Sequence, residues 1–283
     1  AFGLDTALTP VGPDLGGRST APLRKPKVLL VGGRGTSAYE VGELWHLTDH
    51  RLGMATTIVD LADLRTLSLS GYTHVLMVDG DYDDLDPKID THLREYACGG
   101  GTVLAQRRAA RWWAETGLTR VRAETRRTPQ MPAPYDSRDE TLQRERIAGA
   151  ILRTTIDVTH PLGFGLPDDQ LPVFRQGELR FERVADPFAN VASYPTSDIV
   201  LSGYVSPANQ VFLAGTPAIV VEPVGRGRAI LFADTLNFRA YFRGTERVYR
   251  NALLFASLIE FDRELLKGAR ERCDGGLSAN REG

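Results

Sequence analysis

Several groups of residues have the types and spacing that chemistry needs. The run Gly32-Gly33-Arg34-Gly35, with Ser37 two positions on, closes the short apolar stretch Lys27–Val31. Backbone amides and a guanidinium at the start of a helix could hold an anion there. Gly33-x-Gly35-x-x-Ala38 also has the order of a dinucleotide fingerprint. The acid ending the next apolar run, Asp60, comes later than the roughly 20 positions such a site expects. A glycine turn that merely joins strand to helix is the simpler reading. His46-Leu47-Thr48-Asp49-His50 puts two imidazoles at i, i+4 and approximates the inverted zinc motif, with Asp in place of Glu. Leu44, Trp45 and Leu47 form a core stripe around it and no third ligand is evident, so a packed or helix-end pair is expected. His92-x-x-Glu95 has the spacing of a carboxypeptidase zinc pair but lies in an ordinary amphipathic pattern, and the next histidine is His160. Asp79, Asp81, Asp83, Asp84, Asp86 and Asp90 approach a calcium loop, yet Asp84 stands where glycine is needed and Asp90 where a bidentate Glu is needed. Capping of the next helix suits these acids better.

Alternating elements must position these residues. Lys27–Val31, Ala55–Val59, His74–Val78 and Thr102–Ala105 are apolar runs of strand length. Between the first two, Val41, Leu44, Trp45 and Leu47 recur at helical spacing. Such alternation implies a parallel sheet covered on both faces, with ligands at the carboxyl ends of its strands. The loops Gly33–Ser37, Gly80–Tyr82 and Gln106–Arg108 should therefore meet at one edge. Gly33, Arg34, Gly35, Ser37, Arg107 and Arg108 form a candidate anion site, suited to a carboxylate or phosphate. The alternative is that the arginines pair with the Asp79–Asp86 acids and leave no site free.

A helix is expected over Ala109–Thr116, closed by Gly117, then an Arg/Pro-rich excursion over Leu118–Arg138 and a helix over Glu140–Ala150. The later half changes character. Ile151–Val158, Leu171–Arg175, Leu179–Val184, Val191–Tyr194, Ala218–Val221 and Ala229–Phe232 are short strand-like runs, and Val224-Gly225-Arg226-Gly227 is a hairpin signal. Thr245–Phe261 has an amphipathic stripe of Val248, Leu253, Leu254, Leu258 and Ile259. Residues 1–26 have the look of a linker or arm, 27–262 of one domain, and 263–283 of a polar tail that frays around Asp274-Gly275-Gly276. The first residues show neither an initiator methionine nor a signal peptide, so the chain is expected to be a piece of a multidomain protein.

Across 283 residues, a 42% hydrophobic and 25% charged composition is ordinary for a globular protein. A net charge of −2 offers no bulk attraction to nucleic acid or a membrane surface. No apolar run nears the ~18 residues of a membrane span. Two cysteines, Cys98 and Cys273, make neither a disulfide framework nor a zinc ribbon. The redox compartment stays open, and Cys98 is expected to be a small buried hydrophobe.

Ser37-Ala38-Tyr39-Glu40, Glu43-Leu44-Trp45-His46-Leu47, Tyr72-Thr73-His74 running to Asp79-Gly80, and Gly99-Gly100-Gly101-Thr102 occur in a telling order. Thr159-His160-Pro161-Leu162, Leu201-Ser202-Gly203-Tyr204 and Gly225–Phe232 continue it. Over about Lys27–Phe261 the chain resembles the class I glutamine amidotransferase-like domain found on the C-terminal side of some bacterial carboxypeptidase A-like zinc carboxypeptidases. The resemblance implies a flavodoxin-like three-layer α/β sandwich with a mostly parallel central sheet and a β-rich C-terminal half. It also implies a peptidase domain, with its zinc, on the N-terminal side of the same polypeptide, and a secreted or periplasmic setting. No cofactor is implied in this chain, and peptide is a possible substrate to present.

A glutaminase of this fold needs a nucleophilic cysteine on a sharp strand-to-helix turn. Here that turn reads Gln106-Arg107-Arg108-Ala109, without Cys or Ser. Cys98 lies before the strand, at the opposite edge. His160-Pro161 matches the histidine end of an amidotransferase triad, but Leu162 stands where an acid is expected. Glutaminase activity is therefore not expected. The chain reads as a non-catalytic accessory domain, or alternatively as an independent small-molecule enzyme or nucleotide- or anion-binding protein using Gly33–Ser37.

Overall fold

A computed structural model describes residues 5–9, 11–17, 20–126 and 134–279. Its elements are β1 (Val28–Gly32), α1 (Ala38–Trp45), β2 (Thr56–Asp60), β3 (His74–Met77), α2 (Pro87–Cys98), β4 (Thr102–Gln106), α3 (Arg108–Glu115), β5 (Ala123–Thr125), α4 (Arg138–Glu145), β6 (Ala150–Ile156), β7 (Gln170–Arg175), β8 (Leu179–Phe181), β9 (Asn190–Ser193), β10 (Val200–Gly203), α5 (Pro207–Leu213), β11 (Pro217–Val224), β12 (Gly227–Phe232), α6 (Arg243–Phe255) and α7 (Arg263–Ala279).

The strands β2-β1-β3-β4-β12 run parallel, and the β-rich second half extends the same ten-stranded sheet with antiparallel β11, β9, β6, β7 and β10. Every residue of β1, β3 and β4 is buried, because helices cover both faces. Val28 and Leu30 face one core with Leu44, Val248 and Leu253; Leu29 and Val31 face the other with Ile89, Leu93 and Trp113. Strand alternation thus feeds two cores and makes three layers. The predicted hairpin is present, with Val224 opposite Gly227 between β11 and β12. At Gly225 (φ +57°) a Cβ would lie 2.6 Å from the Cys98 carbonyl oxygen, so the turn needs glycine to tuck under the end of α2.

Four expectations require correction. Glu140–Ala150 is not one helix: α4 ends at Glu145 and Ala150 already begins β6. The presumed fraying tail is the helix α7, which runs through Asp274-Gly275-Gly276. Ala269 and Cys273 on α7 are buried against the second core, and that packing overrides two glycines. Cys98 and Cys273 form a disulfide (Cα–Cα 5.9 Å) that ties α7 to α2. Their sequence separation of 175 gave no hint of it. Trp45 is 43% exposed rather than core, because the helix widens into a π-helical turn over His46–Arg51 and Leu47 continues the buried stripe instead. Residues 5–9, 11–17 and 20–26 form no strand or helix, and 127–133 of the Arg/Pro-rich stretch lie outside the described residues.

Candidate functional site: an elbow held by carboxylates

At the carboxyl end of β4 the buried strand reaches Gln106 and turns sharply into α3. Arg107 makes the turn at φ 54°, ψ −121°. A side chain in this region costs about 1–3 kcal/mol. The Arg107 amide donates to the Phe232 carbonyl at 2.8 Å, which anchors the turn to β12. This strand-to-helix elbow is the geometry that exposes a nucleophile in α/β hydrolytic sites. Here it carries a guanidinium, and the nearest cysteine in sequence, Cys98, is oxidised at the other end of β4.

Two carboxylates grip that guanidinium. Arg107 Nη1 donates to Glu40 Oε1 at 2.8 Å and lies 2.9 Å from Asp79 Oδ2. Glu40 also accepts from the Asp79 amide (2.9 Å) and from Gln106 Nε2 (2.6 Å), both at Oε2. The Thr235 hydroxyl donates to its other oxygen at 3.4 Å. Asp79 accepts from Arg108 Nε (2.8 Å) and from the Arg108 amide (3.2 Å). Hydrogen bonding to Asp79 raises the Arg108 guanidinium further above its ordinary value. Two cations and two anions, with Glu40 and Asp79 buried, therefore close on one another. The arrangement offers structural pairing, not a nucleophile.

The three loops meet as expected. The Ser37 amide donates to the Asp79 carbonyl and the Asp81 amide to the Gly35 carbonyl, each at 2.8 Å. Gly33 is required by its left-handed backbone (φ +83°), where any other side chain is strained, and a Cβ there would also meet the Asp60 carboxylate. Arg34 and Gly35 are exposed, while Arg107 and Arg108 are turned onto carboxylates. Ser37 caps α1, accepting from the Glu40 amide at 3.4 Å. Ser37-x-x-Glu40 is thus half of a capping box. Its Glu leaves the helix end for the elbow, a role the spacing alone does not reveal. Among the aspartates, Asp86 caps α2 as expected, accepting from the Lys88 amide at 2.9 Å. Asp79 does not cap; it holds the arginines. Asp83 pairs with Arg111, and Asp90 with Arg94 at 2.7 Å.

The histidines stand apart from this site. His46 and His50 rings lie 5.0 Å apart, and among the described residues no group of three His, Cys, Asp or Glu could hold a metal ion. His92 Nδ1 lies 2.8 Å from the Leu64 carbonyl and lines a cleft of about 950 Å³ at the opposite, amino-terminal edge of the sheet, with His74, Thr102 and Arg228. Burial pushes His74 down to about 4. His160 Nδ1 accepts from the Leu162 amide at 3.1 Å, capping a 3₁₀ turn, and burial pushes it too down to about 4. Leu162 is fully buried. No helix among the described residues is long and apolar enough to cross a membrane.

No protein-family model matches the chain, and no curated protein matches it. Solved structures do. PurLQS from Thermotoga maritima superimposes with a TM-score of 0.53 at 15% identity, over 81% of this chain and 98% of that one. A ThuA-like protein from Bacteroides uniformis gives 0.50 at 12% identity, over 88% and 97%. Another, from Parabacteroides merdae, gives 0.49 at 16% identity, over 89% and 91%. At these identities the likeness extends to the fold: the chain is an α/β sandwich of glutamine amidotransferase-like architecture.

Proposed function

We propose that this chain is a catalytically silent accessory domain that docks to, stabilises or presents substrate to a zinc metallocarboxypeptidase domain of the same polypeptide. One observation carries the silent half of this reading. The elbow keeps its strained backbone but bears Arg107, clamped by Glu40 and Asp79. The peptidase half rests on the ordered motifs from Ser37 to Phe232 and their resemblance to such appended domains. The Cys98–Cys273 disulfide supports a secreted or periplasmic setting, since disulfides persist in oxidising compartments. Any zinc would belong to the peptidase. The competing reading, an independent enzyme or a nucleotide- or anion-binding protein using Gly33–Ser37, loses the two arginines that carboxylates already hold.

The test is the longer polypeptide. A zinc-dependent carboxypeptidase encoded in frame before Ala1 is expected, with its melting temperature lowered or its peptide KM raised when residues 27–262 are removed. An initiator methionine directly ahead of Ala1, or a peptidase indifferent to the deletion, would overturn the proposal.

A further inference from the structure

The segment after β12 folds back over α1 in a backbone conformation that its residues disfavour. Arg239 (φ 51°) and Ala240 (φ 55°) occupy the left-handed region one after the other. Neither is glycine or asparagine, so each position works against the closed form. Phe238 stacks on Phe174 of β7 with ring centroids 3.5 Å apart, and Tyr241 is exposed.

Glu43 on α1 fastens this segment at two points. Its carboxylate Oε1 accepts the Arg239 amide at 2.6 Å, and its backbone carbonyl accepts Asn237 Nδ2 at 2.6 Å. Arg51 adds a long contact from its Nη1 to the Ala240 carbonyl, at 3.5 Å. The fastening is incomplete. Glu43 Oε2 and Asn237 Oδ1 are both buried without a hydrogen-bond partner. An ionised carboxylate with one oxygen dry and unpaired gains by reaching water.

We propose that Glu43 is a proton-operated latch on residues 237–242: with its carboxyl protonated the segment stays closed over α1, and with it ionised the segment releases. The inference concerns this segment's own equilibrium and stands independently of the accessory-domain reading.

The charged surroundings agree. Burial pushes Glu43 up to about 7; the Arg239 amide bond opposes this, the Glu40 charge adds to it, and the Arg239 and Arg107 guanidinium groups oppose it. Other ionisable groups on the neighbouring elements include His46, Asp49 and His50 of the π-helical turn, Arg51 of that turn with its partner Glu246 of α6, which Arg243 also approaches at 4.0 Å, Arg247, Tyr249 and Arg250 of α6, and Tyr241 of the segment itself. Because the folded value is raised, the closed form holds a proton that the open form gives up. The advantage of closure is fully present below the ordinary value of 4.5 and is lost as pH rises through about 7. Opening frees Phe238 from Phe174 and uncovers an aromatic surface beside the elbow.

Amide hydrogen exchange, corrected for the intrinsic rate at each pH, reads the latch directly. Protection at Arg239, Ala240 and Tyr241 should fall at least about tenfold from pH 5 to pH 7.5, while amides of β4 stay constant. Glu43→Gln should keep the pH 5 protection at pH 7.5 and abolish the midpoint. Should that variant fold poorly, Ala240→Gly should raise protection at every pH yet keep the midpoint, because it relieves the backbone (φ 55°) without touching the carboxyl or the charges around it. Protection in the native chain that is flat with pH, or a midpoint that survives Glu43→Gln, would overturn the proposal.

Discussion

Arg107 Nη1 and Glu40 Oε1 meet at 2.8 Å across the first helix and the elbow after β4, a strand-to-helix turn of the geometry that exposes a nucleophile in α/β hydrolytic sites. Removing the guanidinium leaves Glu40 and Asp79 buried and mutually repulsive. Arg107→Ala should therefore destabilise the chain by about 3–5 kcal/mol. Arg107→Gly should be the more stable of the two by about 1 kcal/mol, since glycine adopts the positive φ freely. Urea denaturation of both variants decides it; Ala and Gly variants of equal stability would show that the elbow is unstrained.

The purified chain should release no ammonia from glutamine. Its elbow has no thiol or hydroxyl, and both cysteines are joined in a disulfide. A coupled ammonia assay checks this, and turnover surviving Cys98→Ser and Cys273→Ser would locate a nucleophile elsewhere.

Cys98–Cys273 closes a long loop and fastens α7. Reduction, or Cys273→Ser, should lower stability by about 2–5 kcal/mol and raise hydrogen exchange throughout Arg263–Ala279. Unchanged exchange in α7 after reduction would mean that packing of Ala269 alone suffices.

His74 and His160 are each pushed by burial from 6.5 down to about 4, so the folded chain binds fewer protons than the unfolded one. Their contribution is present above 6.5 and is lost as pH falls toward 4, up to about 3 kcal/mol for each. Glu43 acts in the opposite direction over the same range and offsets part of the loss. Denaturation at pH 7.5 and pH 4.5 should show the difference. His160→Asn, which keeps an acceptor for the Leu162 amide and cannot charge, should shrink it.

Titration with sulfate, phosphate or short peptides should leave the amide shifts of Gly33 and Gly35 flat to millimolar concentration, because Arg107 and Arg108 are held by Asp79 and Glu40. Saturable shifts lost in Arg34→Ala would instead establish an anion site built on that one exposed guanidinium.

Local pattern determined much of this protein. Apolar runs such as Val28–Val31 and Thr102–Ala105, spaced by a helical stripe and a glycine turn, carry their own periodicity, so the parallel half-sheet, its two covered faces and the meeting of three loops at one edge were legible. The identity of the elbow residue was legible too, because that residue follows its strand directly: Arg107 is simply the next residue after Gln106. What the tertiary structure alone decided depends on contacts between distant segments, which leave no local periodicity. Cys98 meets Cys273 only because α7 packs across α2. Glu40, spaced as a capping residue, turns to Arg107 and Gln106 only because β4 ends opposite α1. Glu43 reaches the Arg239 amide only because the chain after β12 returns over the first helix, and burial there, not residue type, sets how tightly that carboxyl holds its proton.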